Sequence, residues 1–219
     1  MEVILTLSQC SLLLERVGLR AKAVIGYFHK SLFIERAGAQ MTENDIQEKA
    51  VAYLALLKKD EDALVKEVKT LVKSNKDLVR SVFSAEIDGW TLFHACALRG
   101  CRKLLKYAIR SGVDVNLRMG EPEGVPGGCS ALHMAAHRGD VSVIEILTSS
   151  RADLDLRDKE ERTPVFYAHR ANNSLAVKTL RKLGADMSSC DNGTFKESQE
   201  RSLLNFRLLP FPGCSGSRR

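Results

Sequence analysis

Features that would point to a membrane or to enzyme chemistry are scarce in this sequence of 219 residues. Aromatic residues make up only 6%, with a single tryptophan. No apolar run approaches the ~20 residues of a bilayer-spanning helix, so we expect no membrane span. Residues 3–14 have the length of a signal-peptide core, but Glu2 precedes them where positive charge is usual. The sequence therefore favours a soluble protein.

Closely spaced cysteine pairs are also absent, because no Cys-x-x-Cys occurs. Structural zinc sites use such pairs, and secreted disulfide frameworks belong to shorter, denser chains. We expect reduced thiols in an intracellular protein, cytoplasmic or nuclear, with no metal and no cofactor. The six cysteines are Cys10, Cys96, Cys101, Cys129, Cys190 and Cys214.

The positive charge is concentrated in the two terminal segments. The formal net charge is +6, of which residues 1–40 carry +2 and residues 193–219 carry +3. Only +1 is left for residues 41–192, so nucleic-acid binding by the central region is not favoured. Binding of nucleic acid through the terminal segments stays an alternative, and it would be strongly salt-dependent.

Catalytic motifs are missing as well. The sequence has no G-x-S-x-G elbow, and the glycines of 120–128 lack the Lys-Ser/Thr of a phosphate-binding loop. His133 and His137 have a spacing that can chelate zinc, but no third ligand is evident. We therefore expect no enzymatic activity and no small-molecule substrate.

An internal repeat dominates the middle of the chain. Three segments align on Thr91, Ser130 and Thr163, and the last two of these openers lie 33 residues apart. The first spacing is six residues longer. The Gly/Pro-rich stretch Met119–Gly128 accommodates the difference, and its composition predicts a flexible loop. Each opener can cap a helix, and an amphipathic pattern follows it.

The three blocks read T-L-F-H-A-C-A, S-A-L-H-M-A-A and T-P-V-F-Y-A-H. They resemble the ankyrin family, whose repeat is about 33 residues long with a T-P-L-H-x-A signature. The resemblance implies an all-α solenoid of stacked helix-turn-helix units with a helical N-terminal cap. It also implies that the protein works by binding another protein.

The resemblance sets the domain organisation. Repeats are expected at 85–118, 128–157 and 158–190, after a helical capping region or degenerate repeat at 41–84. Residues 1–40 form an extension of uncertain structure. Residues 191–219 form a tail that either folds back over the last repeat or ends a shortened array.

Departures from the consensus predict that the third repeat is the least stable. Phe166 replaces the consensus histidine, and Asn172 and Glu161 replace turn glycines. In the second repeat, Arg151 also replaces a glycine. Arginine and glutamate each cost ~1 kcal/mol in a left-handed turn.

In ankyrin-like proteins the partner docks on the concave face, formed by the first helices and the fingertips. The sequence places a ladder of basic groups there, which predicts an acidic or phosphorylated segment with an apolar anchor near Trp90. From the first helices the candidates are Leu98, Arg99, His137, Arg138 and Arg170, and from the fingertips they are Trp90, Arg118, Met119, Arg157 and Arg162.

Three functions are compatible with such a surface. The leading hypothesis is an intracellular adaptor or scaffold. The alternatives are a regulatory inhibitor of an enzyme or transcription factor, and a substrate adaptor of a ubiquitin ligase. The ligase-adaptor family adds a C-terminal Leu/Pro-containing box, to which Ser202–Pro212 is only loosely similar.

Overall fold

The computed structural model describes residues 42–188. The predicted extension, most of the predicted tail and the box-like segment Ser202–Pro212 lie outside these residues, as do Cys10, Cys190 and Cys214. The helices of the described part are α1 (Glu43–Lys59), α2 (Glu61–Ser74), α3 (Lys76–Ser84), α4 (Leu92–Arg99), α5 (Arg102–Arg110), α6 (Ala131–Arg138), α7 (Val141–Ser149), α8 (Pro164–Arg170) and α9 (Ser174–Leu183). The only named strands among residues 42–188 are β1 (Glu86–Ile87) and β2 (Trp90–Thr91), which pair antiparallel.

The first three helices begin at side chains that satisfy free backbone N–H groups. Thr42 and Asp45 form a reciprocal capping box, with 3.3 Å between the Asp45 N–H and Thr42 Oγ1. Asp60 and Asn75 cap α2 and α3 in the same way. Helices α1 to α3 pack against each other and against α4 and α5, so they cover the first face of the repeat stack.

The remaining helices form three pairs stacked in two layers. Helices α4, α6 and α8 are the inner layer and contact each other in turn, while α2, α5, α7 and α9 follow each other in the outer layer. Fully buried small side chains at Ala95, Ala97, Ala135 and Ala136 let the inner helices approach closely. The prediction of an all-α repeat solenoid is confirmed.

Hydrogen bonds also join successive fingers, the loops between the helix pairs. Asn116 Oδ1 accepts the Asp153 N–H, and Asp155 Oδ1 accepts the Asp186 N–H, both at 2.8 Å. The two bonds occupy equivalent positions in successive repeats, and each ties one finger to the next.

Three residues that replace turn glycines do adopt left-handed backbone. The φ angles of Arg151, Glu161 and Asn172 are +67°, +61° and +56°. The prediction that these positions need positive φ is confirmed, and the side chain there carries a conformational cost that glycine would avoid.

The insertion at 119–128 is packed against the fold, so the prediction of a flexible loop is wrong. Its base is closed by a bond from the Met119 N–H to the Cys129 carbonyl at 2.9 Å, and Gly120 donates to the Gly89 carbonyl at 3.0 Å. Gly89 has φ +81°, and a Cβ there would collide with the backbone at Pro122. The insertion therefore lies directly on the turn of the β1–β2 hairpin, and its own Val125 is buried.

Candidate partner-binding surface

The consensus histidines of the first two repeats lie inside the stack. The Nδ1 atom of His94 is 2.7 Å from Thr91 Oγ1, and its Nε2 atom is 3.0 Å from the Leu117 carbonyl. A carbonyl only accepts, so Nε2 carries the proton and Nδ1 accepts from the threonine hydroxyl. His133 repeats this arrangement with Ser130 and the Arg162 carbonyl.

Burial controls the charge of both rings. Loss of hydration lowers the pKa of His94 and of His133 to about 4, although the carbonyl bonds act in the opposite direction. Both rings are therefore neutral at physiological pH. Each one clamps its helix to the following finger, which is a structural role.

No metal site accompanies the histidine pair on α6. Both ring nitrogens of His133 are engaged within the fold, and His137 is half-buried four residues further along. Within residues 42–188, no group of three or more His, Cys, Asp and Glu side chains is arranged to hold a metal ion. None of the helices in this part has the length and apolar character needed to span a bilayer.

The three apolar residues predicted to contact a partner are buried, and this corrects the predicted surface. Trp90, Met119 and Leu98 expose 3%, 3% and 8% of their surface. Trp90 faces Ile87 across the hairpin, and the insertion fastened at Gly120 covers the turn. The prediction of an apolar anchor at an exposed Trp90 is therefore wrong.

The predicted cations of the inner helices lie at three successive helix ends. Arg99 is exposed at the end of α4, and Arg170 is half-buried at the end of α8. Arg138, at the end of α6, donates from Nη1 to the Leu98 carbonyl at 3.0 Å, and its Nε is 3.8 Å from Asp140 Oδ2. Arg138 thus ties two repeats together while 43% of its side chain stays exposed.

The predicted cations of the fingers are largely engaged by the fingers themselves. Arg118 donates to the Arg157 carbonyl at 2.6 Å, and Arg157 pairs with Glu161 at 3.4 Å. Arg162 pairs with Glu160 and lies 5.4 Å from the centre of the Phe166 ring. Of the predicted cations, Arg99 and Arg138 at the ends of α4 and α6 are therefore the best placed for a partner.

Sequence reasoning missed one polar cluster between the second and third repeats. The Tyr167 hydroxyl donates to Asp158 Oδ2 at 2.5 Å and lies 3.3 Å from Cys129 Sγ. Asp158 Oδ1 accepts the backbone N–H groups of Glu160 and Arg162, which shapes the third finger. Burial raises the pKa of the Cys129 thiol to about 12, so this thiol is an unreactive part of the interface.

Of the residues in this cluster, the sequence could have predicted the role of Asp158 but not that of Tyr167. Asp158 occupies a polar turn ahead of the helix opener, where Asp commonly accepts backbone N–H groups. Tyr167 gives no comparable signal, since its partner Cys129 lies 38 residues away.

A continuous stack of helix pairs with buried, neutral histidines and exposed helix ends defines a helical-repeat binding protein. Comparison with protein families specifies the kind of repeat. A model described as ankyrin repeats in three copies matches residues 119–191, and a single ankyrin-repeat model matches residues 88–117. Residues 88–191 therefore carry ankyrin repeats, and such repeats indicate a protein-interaction module.

Curated relatives share parts of the chain with proteins of several kinds. The ADP-ribosylation factor GTPase-activating protein AGD4 of Arabidopsis thaliana is 40% identical over 73 residues, which cover 33% of this chain and 9% of that protein. Protein phosphatase 1 regulatory subunit 12A of Mus musculus is 26% identical over 129 residues, or 59% of this chain and 12% of that protein. The E3 ubiquitin-protein ligase KEG of Arabidopsis thaliana is 33% identical over 91 residues, or 41% of this chain and 6% of that protein. The chain thus spans a small fraction of the length of each.

Proposed function

We propose that this protein is a non-catalytic adaptor or scaffold that binds an acidic or phosphorylated segment of another protein. The segment crosses the exposed ends of α4, α6 and α8. The observation that carries the proposal is the placement of Arg99, Arg138 and Arg170 at the ends of three helices that stack in succession.

The spacing of these helices sets the pattern that a bound segment should have. Packed helices lie 8–10 Å apart, and a chain in the polyproline II conformation advances about 3.1 Å per residue with three residues per turn, so residues i and i+3 lie on the same side. Acidic side chains three residues apart would therefore meet successive arginines. A carboxylate or phosphate can accept two parallel N–H bonds from a guanidinium, which favours arginine at such positions.

The proposal also includes a location in the cell. We place the protein in the cytoplasm or the nucleus, because the three cysteines among residues 42–188 are free and buried. Free thiols are usual where the redox environment is reducing.

Peptide binding tests the proposal. The probe is a fluorescent extended peptide with glutamate or phosphoserine at positions i, i+3 and i+6, compared with a peptide of the same composition in scrambled order. We expect the full chain to bind the ordered peptide more tightly in fluorescence anisotropy. Arg99→Glu should weaken that binding at least tenfold, because repulsion replaces a charge-assisted bond.

The matched control is Lys106→Glu, the same charge reversal on α5 in the outer layer. It should bind the peptide like the unaltered chain. Equal binding of the ordered and scrambled peptides would contradict the proposal, and so would an equal loss in both variants. Arg138→Glu is a poor test because it would also break the bond to the Leu98 carbonyl.

Regulation of an enzyme is the second candidate function, since one relative is named as a regulatory subunit of a protein phosphatase. Both candidates can use the same three arginines, Arg99, Arg138 and Arg170. They differ in the effect on the partner, because an inhibitor lowers the activity of the captured enzyme and an adaptor leaves it unchanged.

A further inference from the structure

Two helices of the outer layer carry exposed cations and no carboxylate. Helix α5 carries four such cations and helix α9 carries three. They are Arg102, Lys103, Lys106 and Arg110 on α5, and Lys178, Arg181 and Lys182 on α9. We call these seven residues, with Leu175, the outer basic face.

These seven side chains are not neutralised by the rest of the described chain. The salt bridges found within residues 42–188 involve other residues. The contrast with the fingers is clear, because Arg157 and Arg162 pair with carboxylates of their own loop. The cations of the outer basic face thus remain available to an external anion.

The charges on α5 act against the stability of the helix that bears them. Arg102, Lys106 and Arg110 follow each other at spacing i, i+4, where like charges repel. Arg102 and Lys103 stand in the first turn, where the helix dipole favours acids, and Cys101 provides no side-chain cap. Residues that break local rules in this way are expected where function requires them.

The face also contains an exposed apolar side chain. Leu175 and Leu183, both on α9, are the exposed large hydrophobic residues of the described chain, at 68% and 43%. Leu175 shares one side of the helix with Lys178 and Lys182, at spacing i, i+3, i+7. One exposed leucine beside several cations suits a surface whose outer layer is anionic and whose next layer is apolar.

The adjoining outer helices make this region broad. Helix α2, which packs beside α5, exposes Lys66, Lys69 and Lys73 on its later turns. Helix α7 separates α5 from α9 and exposes one carboxylate, Glu145.

We propose that the outer basic face docks on an anionic phospholipid bilayer, with Leu175 entering the interface between headgroups and acyl chains. Each basic residue held near an anionic bilayer raises the partition coefficient about fivefold. Stable association needs a second, apolar contribution beside the charge, and Leu175 supplies it. The bound orientation turns the inner layer away from the bilayer, so this inference goes beyond the proposed function.

Two other polyanions fit the face less well. A peptide binds tightly through anchors that fill a pocket, whereas α5 offers charge without an exposed apolar residue. Nucleic acid is bound by inserting a helix into a groove or by stacking bases on aromatic rings. Helix α5 lies between α2 and α7, and no aromatic side chain within residues 42–188 is classed as exposed.

Vesicle sedimentation tests the proposal with the full chain. The probes are phosphatidylcholine vesicles with and without phosphatidylserine. We expect binding only when phosphatidylserine is present, with a decline as salt screens the charges. Lys106→Glu should lower the partition coefficient at least tenfold, and Leu175→Ser should lower it severalfold while the salt dependence is retained.

Arg99→Glu is the matched control, since it changes the net charge equally but on the inner layer, and it should bind vesicles normally. The terminal segments are the same in both variants, so their charge cannot explain a difference between them. Vesicle binding that ignores phosphatidylserine, or that is unchanged in Lys106→Glu, would overturn the proposal. Binding to a DNA or RNA duplex that depends on Lys106, without vesicle binding, would overturn it in favour of nucleic acid.

The two proposals can fail separately. Loss of peptide binding in Arg99→Glu concerns only the inner layer, and loss of vesicle binding in Lys106→Glu concerns only the outer layer. A melting curve for each variant shows that the chain remains folded.

Discussion

The hydroxyl groups of Thr91, Ser130 and Thr163 stand at equivalent places before α4, α6 and α8. They differ in the side chain that follows three residues later. In the first two repeats a histidine nitrogen lies 2.7 and 2.8 Å from the hydroxyl oxygen. In the third repeat Phe166 takes the place of that histidine, and Thr163 Oγ1 is buried with no hydrogen-bond partner among residues 42–188. A buried, unpaired hydroxyl costs about 1–3 kcal/mol.

Removal of this hydroxyl should therefore stabilise the protein. Thr163→Val keeps the shape of the side chain, and we expect it to raise the free energy of unfolding by about 1 kcal/mol in urea denaturation. Thr91→Val is the control, because it removes a satisfied hydroxyl and should lower stability by a similar amount. Destabilisation by both substitutions would contradict this account.

The sequence predicts residue roles well where the repeat fixes the neighbours. The structural role of His94 and the left-handed turn at Arg151 both follow from their places in the repeat. The burial of Trp90 does not. Trp90 belongs to a hairpin whose turn is bonded to the insertion through Gly89 and Gly120, and no consensus repeat contains that insertion.

At the scale of elements, local signals account for most of the helices. Thr42 caps the start of α1 and Asp60 caps the start of α2, as these residue types predict. The insertion at 119–128 escaped prediction because Gly/Pro-rich composition indicates irregular backbone without indicating whether it packs. Its packing depends on Pro122 and Val125 finding space beside the hairpin, which is a tertiary contact.

Helix α5 should become more stable when one of its charges is reversed. Lys106→Glu turns two repulsive i, i+4 pairs, with Arg102 and Arg110, into attractive ones. Each pair contributes ~0.3–0.5 kcal/mol, so we expect the free energy of unfolding to rise by about 1 kcal/mol at low salt. The gain should shrink at high salt because the charges are exposed. Thermal or urea denaturation at two ionic strengths measures it, and a loss of stability would contradict the account of α5.

At the scale of the whole molecule, the histidines make the stack sensitive to acid. His94 bonds to the Leu117 carbonyl and His133 to the Arg162 carbonyl, so each holds its helix to the finger that leads into the next helix pair. Protonation of either ring would place a charge where burial disfavours it. Acid should therefore loosen the interfaces between repeats before it affects the individual helices.

The pH dependence of stability follows from the two pKa values. Both rings have a pKa of about 4 in the folded protein and 6.5 in the unfolded chain. Their contribution to the free energy of unfolding is complete above pH 6.5. It is lost as pH falls toward 4, because the histidines of the unfolded chain bind protons first. We expect a slope of about 1.4 kcal/mol per pH unit for each ring in this window. Urea denaturation across the window measures the slope, and His94→Gln should halve the part due to the two rings. An unchanged slope in that variant would contradict the assignment.

Because the base of the insertion at 119–128 is closed by hydrogen bonds, the length of that loop can change without shifting one repeat against the next. Arg118 and Ser130 face each other as a bridge, and the histidine clamps lie on either side of it. Glu121 pairs with Lys159 of the third finger, whereas Glu123 is exposed at the tip, so Glu123 is the natural graft point. A foreign loop or a reporter group placed there would be carried by the protein without any change in how one repeat meets the next.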